Sequence, residues 1–141
     1  MKKFNLRFLL ILFIVATSCE SEHIQQKPLI NTRWTLIALQ STSDNSYASY
    51  PETLKKQSVI FKDSVNTMLI SGICNACTGT FSMSSGGINT TVAGCTKIYC
   101  DGVEWEQLLL TNLKNTYSYI VGNNSMTLLS SGGYNLIFSA D

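Results

Sequence analysis

The chain has 141 residues, ten lysines and arginines against nine aspartates and glutamates, and a formal net charge of +1. That length suits one domain with one core, and a balance so near neutrality leaves no electrostatic footprint for nucleic acid. One histidine and five cysteines restrict the chemistry further, because acid–base groups are scarce and the cysteines need a reason.

The first element in chain order reads as an export signal. Met1-Lys2-Lys3-Phe4-Asn5-Leu6-Arg7 is basic, Phe8 to Val15 is apolar, and Ala16-Thr17-Ser18 stand directly before Cys19. A charged start, a short apolar run and small residues at the cut describe a secretory signal, and the run is too short to span a bilayer. The placement of Cys19 resembles the lipobox of bacterial lipoproteins. That resemblance implies a signal peptide over residues 1–18, a diacylglycerol on the Cys19 thiol and an acylated amine. More than one acyl chain gives stable anchoring. It implies a membrane partner reached through the lipid, in a bacterial cell envelope. Glu20 and Glu22 beside the lipid resemble the acidic signals that route some lipoproteins to the cell surface, which favours the outer membrane or surface over the inner membrane. Left unmodified, an exported lone thiol is a reactive liability.

Residues 19–30 hold the lipidated cysteine and a polar stretch without apolar periodicity, which reads as a flexible tether. His23 lies there as a solvated linker residue. The signal carries Lys2, Lys3 and Arg7, so the remainder keeps seven basic against nine acidic residues. The folded domain is expected over residues 31–141.

Arg33 to Leu39 is rich in β-formers and reads as the first strand. Gln40 to Lys56 is polar and reads as a long loop. Gln57 to Lys62 and Val65 to Ser71 pattern as a hairpin turning at Asp63-Ser64. Gly79 to Ser84 and Ile88 to Val92 flank a turn at Ser85-Gly86-Gly87. One helix interrupts the strands. Asp101 followed by Glu104 suggests a capping box, Trp105, Leu108, Leu109 and Leu113 recur at helical spacing, and Lys114-Asn115 suit its end. Tyr117 to Val121, Met126 to Leu129 and Tyr134 to Phe138 are the closing strands. The fold class expected is mainly β (α+β): an antiparallel sheet or partly open barrel packed by one amphipathic helix.

Cys74, Cys77, Cys95 and Cys100 are spaced Cys-x2-Cys-x17-Cys-x4-Cys. The second half lacks the tight knuckle of a zinc ribbon and no histidine is at hand, so no metal and no cofactor is expected. An oxidising compartment favours disulfides. If the hairpin turns at Gly86-Gly87, facing residues have numbers summing to about 173. Cys77 with Cys95 gives 172 and Cys74 with Cys100 gives 174, whereas crossing them gives 169 and 177. The nested pairing fits. The odd spacing of Cys74 and Cys77 would place the two bridges on opposite faces of regular strands.

The same residues carry a second resemblance. Cys74-Asn75-Ala76-Cys77-Thr78-Gly79, then Thr96-Lys97-Ile98-Tyr99-Cys100, then an acidic amphipathic helix resemble the META domain family. Arg33-Trp34-Thr35-Leu36 is similar to its opening tryptophan strand, and Leu136 to Phe138 to its closing one. Cys77 stands where the family has an aromatic and Cys95 is added, a paired departure that suits a second bridge. The resemblance implies an envelope protein associated with stress and drug tolerance, with no established reaction.

Three functions compete. The first is a non-catalytic, disulfide-stapled envelope lipoprotein binding an unknown envelope protein, with Asn75, Gly79 and Thr96 in turn or structural roles. The second is a small-ligand-binding barrel whose mouth is lined by Tyr47, Tyr50, Tyr117 and Tyr119. The third, an enzyme, is rejected. The chain has no Gly-x-Ser-x-Gly elbow, no phosphate loop and no histidine beyond the tether. Glu104 and Glu106, two apart on a helix, do not face one another.

Overall fold

The computed structural model describes residues 28–85 and 87–141. The expected signal, Cys19 and most of the tether lie outside the described residues. The tether expected over residues 19–30 gives way to the fold before its end. Leu29 is buried, its carbonyl accepts the Trp34 indole N–H at 3.0 Å, and Ile30 bridges Phe61. The apolar side chain gains more against the first strand than in water.

The described residues form nine strands: β1 (Arg33–Ser41), β2 (Tyr47–Ser49), β3 (Ser58–Lys62), β4 (Thr67–Ser71), β5 (Ala76–Ser84), β6 (Gly87–Cys95), β7 (Thr116–Val121), β8 (Ser125–Ser130) and β9 (Tyr134–Ala140). Helix α1 (Val103–Lys114) lies between β6 and β7. They form one antiparallel sheet in the order β6-β5-β4-β3-β1-β9-β8-β7, with β2 on β1. Its two end strands approach each other. A Cβ built at Gly87 on β6 would overlap the Tyr117 carbonyl oxygen on β7, so a residue without a side chain is what lets the sheet curl into a nearly closed barrel. The helix also packs against β6, where the Thr90 hydroxyl donates to the Leu113 carbonyl.

Alternation along the strands supplies the interior. Trp34, Leu36, Phe61, Met68, Ile88, Met126, Leu128, Leu136 and Phe138 are fully buried, and Leu109 and Leu113 close the space from the helix. On β1 the inward set runs Trp34, Leu36, then Leu39. The register shifts between Leu36 and Ala38, so Ile37 is the extra residue of a bulge and faces outward. Phe61 and Phe81 meet edge to face at 5.2 Å.

Several expectations change. The long loop of residues 40–56 contains β2, paired through Gln40↔Tyr47. Strand β5 starts at Ala76, not Gly79, because it pairs with β4 from Ser71↔Ala76 onward. The β5–β6 hairpin closes at Ser84↔Gly87, one residue earlier than a turn centred on Gly86-Gly87. No capping box forms at the helix start: Gly102, with φ of 85°, occupies the cap position and no side chain caps it. Glu106, Leu109, Asn112 and Leu113 form the buried stripe, while Trp105 and Leu108 are only half-buried.

Candidate functional site

Two irregular segments meet where the sheet runs into the helix. Residues 72–75 turn from β4 into β5, and residues 96–102 lead from β6 to α1. One disulfide, Cys74–Cys100, joins them directly, and the other, Cys77–Cys95, joins the strands beside them. Cys77 and Cys95 face each other across the β5–β6 ladder with Cα atoms 4.1 Å apart, and Cys74 reaches Cys100 at 5.9 Å. The pairing is nested. The misplaced turn alone would have put Cys77 out of register with Cys95, but a bulge between Thr78 and Gly79 in the β5–β6 ladder takes up the difference. The opposite-face expectation does not apply, because Cys74 and Cys100 lie outside the strands.

Asn75 sits between the segments, 8 % exposed, with every position of its amide engaged. Its Nδ2 donates to the Glu106 carboxylate at 2.6 Å and to the Ile98 carbonyl at 2.9 Å. Its Oδ1 accepts the Thr96 hydroxyl at 2.9 Å and the Ile98 N–H at 2.7 Å. Two donors and two acceptor sites are all a primary amide offers. Thr96 continues the chain of bonds, its hydroxyl accepting the Ala76 N–H at 3.2 Å.

Glu106 anchors the knot from the helix. It is 3 % exposed; Oε2 accepts the backbone N–H of Cys74 at 2.8 Å and of Asn75 at 3.0 Å, and Oε1 takes the Asn75 amide. Burial pushes this carboxyl up, but the Asn75 amide and the N–H groups of Asn75, Cys74 and Ile73 outweigh it and hold it below its ordinary value. Gly72 is required beside it: a Cβ there would overlap Glu106 Oε2 and lie 2.8 Å from the Asn75 carbonyl oxygen. This anion is ionised, donor-saturated and shut away from water. It is poorly placed to take a proton from a substrate.

The remaining candidates are dispersed. Gly79 is no turn residue; it lies within β5, where a Cβ would overlap the Thr91 carbonyl oxygen. Glu104 is exposed and apart from the knot. Among the tyrosines, Tyr50 is buried, donates its hydroxyl to the Lys55 carbonyl at 2.6 Å and packs edge-on against Trp105 at 5.2 Å. Tyr47 and Tyr117 are exposed on separate strands and Tyr119 packs against the core. They make no common mouth, and side chains fill the barrel interior. Among the described residues no three His, Cys, Asp or Glu side chains gather as metal ligands.

A shallow groove of about 600 Å³ runs outside the barrel over β3 to β6, lined by Ser58, Leu69, Ser71, Ala76, Gly94 and Thr96 among others. Ile60, Leu69 and Ile70 give it an apolar part among small and polar neighbours.

Sequence reasoning missed Glu106 as the anchor. The signal was present: Glu106, Leu109 and Leu113 fall on one helical stripe, so the carboxylate had to point where the leucines point. Asn112 was missed for the same reason. It is fully buried, donates to the Leu108 carbonyl at 2.8 Å and accepts the Tyr134 N–H at 3.0 Å, fixing the helix end to the β8–β9 turn.

Known proteins share this architecture. A protein from Burkholderia xenovorans, solved by NMR, superposes with a TM-score of 0.67 at 20 % identity, over 83 % of this chain and 90 % of its own. The crystal structure of a duf4847 family protein from Bacteroides vulgatus gives 0.61 at 12 % identity, over 79 % and 93 %. At these identities the likeness is one of fold. No curated protein matches the chain. The family model of the META domain matches residues 27–141, a span that takes in the barrel, both staples and the Asn75–Glu106 knot. The chain belongs to the META domain family.

Proposed function

We propose that the protein is an exported, lipid-anchored envelope lipoprotein that works by binding a partner protein and not by catalysis. The observation that carries this reading is the saturation of its polar cluster. Asn75 spends all four hydrogen-bonding positions, and Glu106 both carboxylate oxygens, on the protein itself. Catalytic groups need a free valence toward substrate; groups that scaffold do not. Two disulfides support an oxidising compartment, in keeping with a signal ending before Cys19. The family resemblance supplies envelope stress as the setting.

Intact-mass spectrometry of the protein purified from its own membranes tests the reading. The expected species begins at Cys19, carries diacylglycerol and an N-acyl chain, and gains four alkylation sites only after reduction. A chain beginning at Met1 without lipid, or one alkylated fully without reduction, would remove the membrane anchor or the export argument respectively.

A further inference from the structure

The residues from Thr96 to Cys100 adopt no regular structure, and such exposed segments are ordinarily the loosest part of a fold. This one is held at both ends and in the middle. Cys95 and Cys100 are bridged, and Thr96 and Ile98 bond to the buried Asn75, which Glu106 holds in turn. Yet the side chains at its tip turn outward: Ile98 is 59 % exposed and Tyr99 85 %. Lys97 beside them is exposed and has no hydrogen bond or ion pair among the described residues. Placing a carboxylate and an amide in the interior is costly relative to apolar packing. What the chain gains from it here is a loop of fixed shape.

Building on the partner-binding reading, we propose that the Thr96–Cys100 loop is the domain's recognition element and that its occupant is a folded protein. Ile98 and Tyr99 enter an apolar cleft of that protein, and Lys97 faces an acidic side chain on the cleft's rim. An aromatic and an aliphatic side chain held rigid before contact lose little freedom on binding, which is the property of interface anchors. The contact surface continues from the tip into the outer groove, because Thr96, Cys95 and Gly94 line that groove at the loop's base. A bilayer suits the loop less well. The loop's base lies beside Ala76, Ser71 and Ser58, whereas the chain enters the fold beside Phe61, at the other end of β3.

Photo-crosslinking of the full-length chain in its own cells tests this, with Tyr99 replaced by benzoylphenylalanine and the exposed Tyr47 and Tyr117 replaced in parallel. A discrete protein adduct is expected from position 99 alone, with its yield reduced at least tenfold by Ile98→Ser or Lys97→Glu. The thermal midpoint of those two variants, which alter exposed side chains, is expected to stay unchanged. Adducts from position 47 or 117 but not 99 would overturn the loop assignment and leave the binding reading standing. No protein adduct from any position would overturn both. An adduct whose mass is a second copy of this chain, or a phospholipid, would overturn the assignment of the occupant as a different folded protein.

Discussion

The side chain of Asn75 and that of Glu106 meet at 2.6 Å inside the protein, and the same carboxylate also accepts the Asn75 backbone N–H at 3.0 Å. One residue from a turn and one from a helix 31 positions later thereby lock three segments together: the β4–β5 turn, the β6–α1 connection and the first turns of α1. The Cys74–Cys100 disulfide ties the first two of these covalently, with Cys77–Cys95 tying the strands beside them; Glu106 ties both to the helix.

Glu106→Ala leaves the N–H groups of Cys74 and Asn75 and one Asn75 amide hydrogen buried without an acceptor. Each orphaned donor costs roughly 1–3 kcal/mol, and relaxation recovers part of the total, so a loss of about 3 kcal/mol is expected. Glu106→Gln keeps acceptor oxygen but points an NH2 at one donor, and is expected to fall between. Denaturant midpoints at unchanged m-value measure both. Equal stability of all three proteins would show the knot to be ornamental.

The same pair sets an acid sensitivity. The Glu106 carboxyl is held below its ordinary value of 4.5 when folded. A depressed folded value stabilises above the unfolded value and loses that contribution as pH falls through the folded one. Stability is therefore expected to drop below about pH 4.5 in the native protein, and the Glu106→Gln variant is expected to lack that part of the drop. Thermal unfolding between pH 7 and 3, compared for the two proteins, is the measurement.

The nested staples should behave cooperatively. They close loops of 26 and 18 residues, but with either bridge in place the other closes a much shorter free loop. Chain entropy then gives about 2 kcal/mol for removing one pair as alanines and about 6 kcal/mol for removing both. Urea unfolding of Cys74→Ala/Cys100→Ala, Cys77→Ala/Cys95→Ala and the quadruple variant tests the excess. Strict additivity would contradict it.

Gly72→Ala forces a methyl group into Glu106 Oε2. Either the carboxylate leaves its donors or the turn shifts, and a cost of about 2 kcal/mol is expected. In the double variant with Glu106→Ala the glycine's cost should fall but not vanish, since the carboxylate is gone while the Asn75 carbonyl oxygen still lies 2.8 Å from the added Cβ.

Much of this was legible from the chain. Strand periodicity located the barrel, and Trp34 and Phe138 announced its first and last strands. The pairing of Cys77 with Cys95 followed from register despite a turn misplaced by one residue. The polar knot was not legible as a whole. Asn75 and Thr96 were marked by the motif they share, whereas Glu106 entered only as a helix acid that does not face Glu104. Its role depends on a contact 31 residues away in sequence, and only the stripe it shares with Leu109 and Leu113 hinted at burial. The expected cap did not form either: Gly102 holds the cap position with a positive φ, and Leu54 and Ile73 pack where its side chain would stand.

The most direct test of the central claim, that buried polar groups hold an exposed loop rigid, is amide hydrogen exchange at Ile98. The residue is 59 % exposed and in no regular structure, yet its N–H is donated to Asn75 Oδ1 at 2.7 Å. Strong protection of the Ile98 amide in the oxidised protein, lost in Asn75→Ala, is the expected result. Exchange of the native Ile98 amide at the rate of an unstructured chain would contradict the account.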